Sequence, residues 1–128
     1  MHYVHIVAMV AVLQYIFFSA LVGRARGTYG VKAPAVVGHE MFERAYRVQM
    51  NTLELLVAFI PALYVAAHYW APAIVAGSGA VYVIGRFIYW RAYVANPSSR
   101  QLGFVLSMLP VMGLALAALV PAVIAVAR

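Results

Sequence analysis

The 128-residue sequence has no cysteine and no aspartate, and only 9% of its residues are charged. Without cysteine there is no disulfide framework, no thiolate metal site and no cysteine nucleophile, so any thiol chemistry must use a thiol brought by a substrate. A soluble domain of this size carries roughly a quarter charged residues. This chain instead is 66% hydrophobic with a mean hydropathy of +0.92, the composition of a protein dissolved in lipid. Acids are scarcest of all: Glu40, Glu43 and Glu54 face nine lysines and arginines, a net charge of +6. In a soluble protein that balance would suggest nucleic acid. Here the positive residues sit beside apolar runs, so no nucleic-acid partner is expected. The better readings are the positive-inside rule, anionic lipid headgroups and an anionic ligand.

What is present is a series of membrane-grade apolar runs. The start, Met1-His2-Tyr3-Val4-His5, lacks the basic residues of a signal peptide. The apolar run after it reaches Gly23, too long for a cleaved leader, and is expected to be a retained membrane helix. The length accommodates four spans of about 20 residues each with short connections. The expected fold class is therefore an all-α membrane protein, an antiparallel up-down four-helix bundle forming one domain over residues 1–128.

The first span is predicted at about Tyr3 to Gly23, ending in Gly23-Arg24-Ala25-Arg26-Gly27 at the headgroups. Gln14 and Ser19 inside it are expected to make helix–helix hydrogen bonds. Residues 27–40 form the longest connection. The second helix is predicted from Glu40 to Tyr69 with a kink at Pro61, and the third from Pro72 to Val94, with Gly77, Ser78, Gly79 and Ala80 allowing close approach of a neighbour. Asn96-Pro97-Ser98-Ser99-Arg100 reads as a turn. The fourth span, Gln101 to Ala127, reads as apolar scaffold. Arg24, Arg26, Lys32, Arg44, Arg47, Arg91 and Arg100 flank one membrane face, which places the basic loops in the cytoplasm and both chain ends outside.

The most polar run, Glu43 to Glu54, flows straight into the apolar Leu55-Leu56-Val57-Ala58-Phe59-Ile60. Arg47, Asn51 and Glu54 are spaced i, i+4 and i+7 and share a helix face. Ionisable groups sunk into a membrane helix are costly and mark a site or an internal pairing. Because the second and third helices are antiparallel and joined near residue 70, residues at equal depth have numbers summing to about 140. Glu54 then faces Arg86, Asn51 faces Tyr89, and Arg47 faces Tyr93. Two readings stand. In one, Glu54–Arg86 is a buried ion pair and the tyrosines form an interface belt. In the other, the surplus arginines grip a zwitterionic, net-negative ligand: arginine forks hold carboxylates, and Glu54 takes an ammonium.

The runs Glu43 to Glu54, Gly85 to Tyr93 and Pro97-Ser98-Ser99-Arg100, with the Arg26 loop and the four-span plan, resemble the MAPEG family, the membrane-associated proteins in eicosanoid and glutathione metabolism. The wording is similar to leukotriene C4 synthase-like members and to the microsomal glutathione transferase 3 type with its bacterial relatives. The resemblance implies a homotrimer in a bacterial inner membrane that binds glutathione between subunits near the cytoplasmic face. By match to the family motifs, Arg47, Asn51, Glu54, Tyr89 and Tyr93 hold glutathione, with Arg86 supporting. Arg26 and Gln49 match positions that reach a neighbouring subunit's ligand, and Arg100 matches the arginine that stabilises the thiolate. Leu55 stands where leukotriene C4 synthase has a ligand-contacting tyrosine, so eicosanoid specificity does not transfer.

The implied function is a glutathione-dependent transferase or peroxidase acting on lipophilic electrophiles or lipid hydroperoxides within the bilayer. The alternative is a non-catalytic lipid-binding scaffold of the same fold. A channel is disfavoured, because no span alone carries a polar stripe across the bilayer. His39 and His68 lack partners at metal-ligand spacing, and His2 and His5 read as a frayed terminus, so no metal site is expected. Trp70 and Trp90 read as belt residues, and Arg44 and Arg91 as headgroup-facing.

Overall fold

In a computed structural model describing residues 1–128, the first helix, α1 (His2–Tyr29), runs past the expected stop at Gly23 and carries both arginines within it. Arginine is a good helix former, and Arg26 in the last turn complements the negative end of the helix dipole. Glycines 23 and 27 have open space around them and cost helix propensity only. The stop comes at Gly30, whose left-handed backbone (φ 69°, ψ 30°) returns its N–H to the Arg26 carbonyl at 2.9 Å.

The connection that follows is tied down rather than loose. Arg26 Nη1 donates to the carbonyls of Ala35 (2.7 Å) and Val31 (3.4 Å), and the guanidinium lies 4.7 Å from the centre of the Phe42 ring. His39 stacks on Tyr29 and caps the second helix, its Nδ1 accepting from the Met41 N–H at 3.1 Å. From there α2 (Glu40–Tyr69), α3 (Pro72–Ala95), a single 3₁₀ turn (Pro97–Ser99) and α4 (Gln101–Ala127) follow in order. All four helices are long and apolar enough to cross a membrane.

Both α1 and α4 pack against α2 and α3, so the central pair α2–α3 is flanked on two sides. Phe59 of α2 stacks on Tyr82 of α3 at 4.0 Å, close to the expected depth matching. Gln14 reaches from α1 to donate to the Val83 carbonyl of α3 at 2.8 Å, the helix–helix bond expected of it. Gly79 packs against Val7, Phe59 and Leu63, but Gly77 faces open space. The closest helix approach lies elsewhere, between α3 and α4. A Cβ on Gly103 would overlap the Tyr89 backbone, and one on Gly85 would overlap the backbone at Leu106 and Ser107.

Proline removes the N–H that would pair the carbonyl four residues earlier. Pro121 thereby frees the Ala117 carbonyl of α4, and Trp70 Nε1 donates to it at 2.8 Å. Trp70, read from the sequence as a belt residue, thus ties the α2–α3 turn to the break in α4. The exterior is apolar, with Leu13, Ile84 and Leu116 all more than half exposed, as lipid-facing surface requires.

Candidate functional site

The antiparallel helices bring the C-terminal ends of α1 and α3 and the N-terminal ends of α2 and α4 to one end of the bundle. There Arg86 is wholly buried. Its Nη1 donates to Asn51 Oδ1 at 2.8 Å, and its guanidinium lies 4.2 Å from the centre of the Tyr89 ring. The expected ion pair between Glu54 and Arg86 does not form. Arg86 runs its long side chain up α3 toward the polar end, as buried arginines do, and so meets an amide one turn above Glu54. The one ion pair in the chain is Arg44–Glu40. Glu54 is left exposed on the outside of α2.

Above Arg86 lies a cavity of about 500 Å³ lined by Arg47, Asn51, Tyr89, Arg100, Gln101 and Phe104. A second, of about 450 Å³, adjoins it at Arg47 and is lined also by Glu40, Glu43, Arg44 and Tyr93 under Val36 and Val37 of the connecting loop. The Tyr89 and Tyr93 rings stack at 5.5 Å. No carboxylate lines the inner cavity, so two guanidiniums there have no acidic side chain to neutralise them.

The turn at residues 96–100 is what delivers Arg100. Pro97 cannot continue α3. Asn96 Oδ1 accepts from the Ser98 N–H (3.2 Å) and hydroxyl (2.8 Å), while the Ser99 hydroxyl lies 3.0 Å from the Ala92 carbonyl. Arg100 then sits at the N-cap of α4, where the helix dipole adds positive potential. Arg44, expected to face headgroups, instead donates to the carbonyls of Val94 (2.8 Å) and Ala95 (3.3 Å) and closes the end of α3.

Of the residues singled out in the sequence, Arg47, Asn51, Tyr89 and Arg100 line the inner cavity. Tyr93 lines the outer one, and Arg86 lies beneath. Three stand apart within a single chain. Arg26 holds its own loop, Glu54 faces outward, and Gln49 donates to the Ser19 hydroxyl of α1 at 3.0 Å. Leu55 is buried in the main apolar core. Gln101 and Phe104 also line the inner cavity, although the fourth span reads from the sequence as uniform apolar scaffold. The available signal was a polar residue directly after Arg100, with an aromatic three residues on and so on the same face.

A four-helix membrane bundle with an anion-seeking cavity at one end, formed by these motifs, defines the class: the chain belongs to the MAPEG family, whose family model matches residues 4–120. It is 43% identical over 114 residues to an uncharacterised protein of Synechocystis, covering 89% of this chain and 83% of that one. Human microsomal glutathione S-transferase 2 is 36% identical over 102 residues, covering 80% of this chain and 69% of the human one. Guinea-pig leukotriene C4 synthase is 35% identical over 94 residues, 73% and 63% respectively. The likeness extends to type 2 microsomal transferases, to which the motif wording alone did not point.

Proposed function

We propose that the protein is a glutathione-dependent transferase of the membrane, one domain over residues 1–128, acting on lipophilic electrophiles. The observation that carries this reading is the inner cavity, where Arg47 and Arg100 converge with Asn51 and Tyr89 and no carboxylate opposes them. Glutathione carries two carboxylates, one ammonium and a thiol. Its net negative charge suits this donor set, and about 500 Å³ falls within the usual range of roughly 300–1,000 Å³ for small-molecule sites.

In this reading Arg47, Asn51, Tyr89 and Tyr93 hold the tripeptide, and Arg86 fixes Asn51 from below. Arg100 stabilises the thiolate. A free thiol with a pKa of about 8.5 is mostly protonated at pH 7, and a guanidinium in a water-poor site favours the anion. The thiol proton leaves to solvent, and the thiolate sulfur bonds to the electrophilic carbon as the leaving group departs. Attack on the O–O bond of a lipid hydroperoxide would use the same anion and consume a second glutathione.

A carboxylate facing lipid is costly, and exposed Glu54 lies beside exposed Val57 and Ala58 on α2. Covering that face with a second copy supports a homotrimer, in which Glu54 takes the ammonium, and Arg26 and Gln49 of one subunit serve the glutathione of the next. The basic end faces the cytoplasm of a bacterial inner membrane.

Calorimetric titration of the detergent-purified protein with glutathione, followed by a chromogenic electrophile assay, tests the reading. Binding heat and turnover are expected. Neither heat nor turnover would instead favour a non-catalytic lipid-binding scaffold.

A further inference from the structure

On another side of the bundle, α1, α2 and α3 enclose a groove of about 340 Å³ that shares no residue with the cavities above. Its floor is apolar, made by Leu21 and Ala25 of α1, Ala45 of α2, and Trp90 and Val94 of α3. Arg24 and Thr28 stand at its upper rim. Below it, toward the bilayer, Phe17 packs edge-on against Trp90 at 5.4 Å and exposed apolar residues follow on both helices. Leu13 and Phe17 lie on the Leu21 and Arg24 face of α1, and Phe87 lies on α3 beneath Trp90. Arg91 lies over the Trp90 ring at 5.6 Å.

Arg24 and Arg91 have no acidic partner. Glu40 is paired with Arg44, Glu43 lies near the Gly38 N–H, and no carboxylate lines the groove. We infer that this groove is a binding site for an anionic phospholipid, its phosphate held by Arg24 and its acyl chain lying along Phe17, Leu21 and Trp90. Charge complementarity selects the headgroup, since an exposed cation at the membrane surface attracts anionic lipid. The depth supports it too: Arg24 and Arg91 sit on the last turns of α1 and α3, at the basic end of the bundle, directly above apolar strips. The site is independent of glutathione binding.

Trp90 in the groove provides the readout. The protein is reconstituted in phosphatidylcholine vesicles containing graded amounts of dibrominated phosphatidylglycerol or dibrominated phosphatidylcholine. The difference between wild type and Trp90→Phe isolates the Trp90 emission. Half-quenching by the brominated anionic lipid is expected at about five-fold lower mole fraction than by the zwitterionic one, the preference one arginine confers. Exposed Arg24→Gln is expected to abolish that difference while leaving glutathione binding heat unchanged. Equal curves for the two lipids would overturn the site, showing bulk lipid alone. So would a Trp90 signal that neither lipid quenches, which would mean that a second copy of the chain covers the groove. A preference that survives Arg24→Gln would overturn the assignment of the headgroup.

Discussion

Arg86 is fully buried in the bundle, and its partner is not an acid but the side-chain oxygen of Asn51, 2.8 Å away. The pair joins α2 to α3 directly under the inner cavity and orients Asn51 toward it. A buried guanidinium without its partner is expensive, because the lost bond leaves charge desolvated. Asn51→Ala is therefore expected to lower stability by about 1.5–3 kcal/mol. In an Arg86→Met background the same change should cost much less. Denaturation of the four proteins of this double-mutant cycle in detergent measures the coupling, and additive effects would show that the bond contributes nothing.

Trp70 repairs the carbonyl that Pro121 leaves open. Trp70→Phe keeps the ring and removes the donor, and should cost about 1 kcal/mol. In Pro121→Ala the new N–H can reach the Ala117 carbonyl within α4, so the cost of Trp70→Phe should shrink. Thermal unfolding of both backgrounds checks this, and an equal cost in each would rule out the repair.

The α3–α4 contact leaves no space for side-chain atoms at Gly85 and Gly103. Gly103→Ala should destabilise the bundle by about 1–3 kcal/mol through overpacking, and displace Tyr89 with a loss of glutathione affinity. Gly113→Ala, in open space on the same helix, should be neutral or slightly stabilising. Melting curves and glutathione titrations of the two variants separate the outcomes.

Arg44 closes the C-terminal end of α3 through the Val94 and Ala95 carbonyls. Arg44→Met retains the aliphatic stem and loses both bonds together with the exposed ion pair to Glu40. It should fray the last turn, which carries Tyr93, and weaken glutathione binding several-fold without changing the thiolate spectrum. A direct contact between Arg44 and the thiol would instead alter that spectrum.

The spans were legible because runs of apolar residues long enough for a bilayer have few other uses, and Pro72 and Pro97 mark two of the turns. The end of α1 was misplaced because Gly23-Arg24-Ala25-Arg26-Gly27 looks like a terminus, whereas the stop depends on the left-handed backbone of Gly30. Helical spacing placed Arg47 and Asn51 on one face, and antiparallel depth placed Tyr89 beside them. The same rule paired Glu54 with Arg86 incorrectly, because it counts backbone positions and an arginine side chain can climb a full turn. Trp70 looks interfacial because its partner is a main-chain carbonyl, and Arg44, beyond its pairing with Glu40 one turn back, likewise reaches the Val94 and Ala95 carbonyls, to which the sequence gives no local clue. The α3–α4 contact at Gly85 and Gly103 involves residues far apart in the chain, each unremarked on its own.

The most direct measurement is on Arg100→Ala. In wild type saturated with glutathione, an ultraviolet thiolate band and turnover of a chromogenic electrophile are expected. In the variant, calorimetry should show glutathione binding largely retained while the band and the turnover both disappear. An unchanged rate and band in Arg100→Ala would contradict the assignment of thiolate stabilisation to this residue, and with it the chemistry proposed for the cavity.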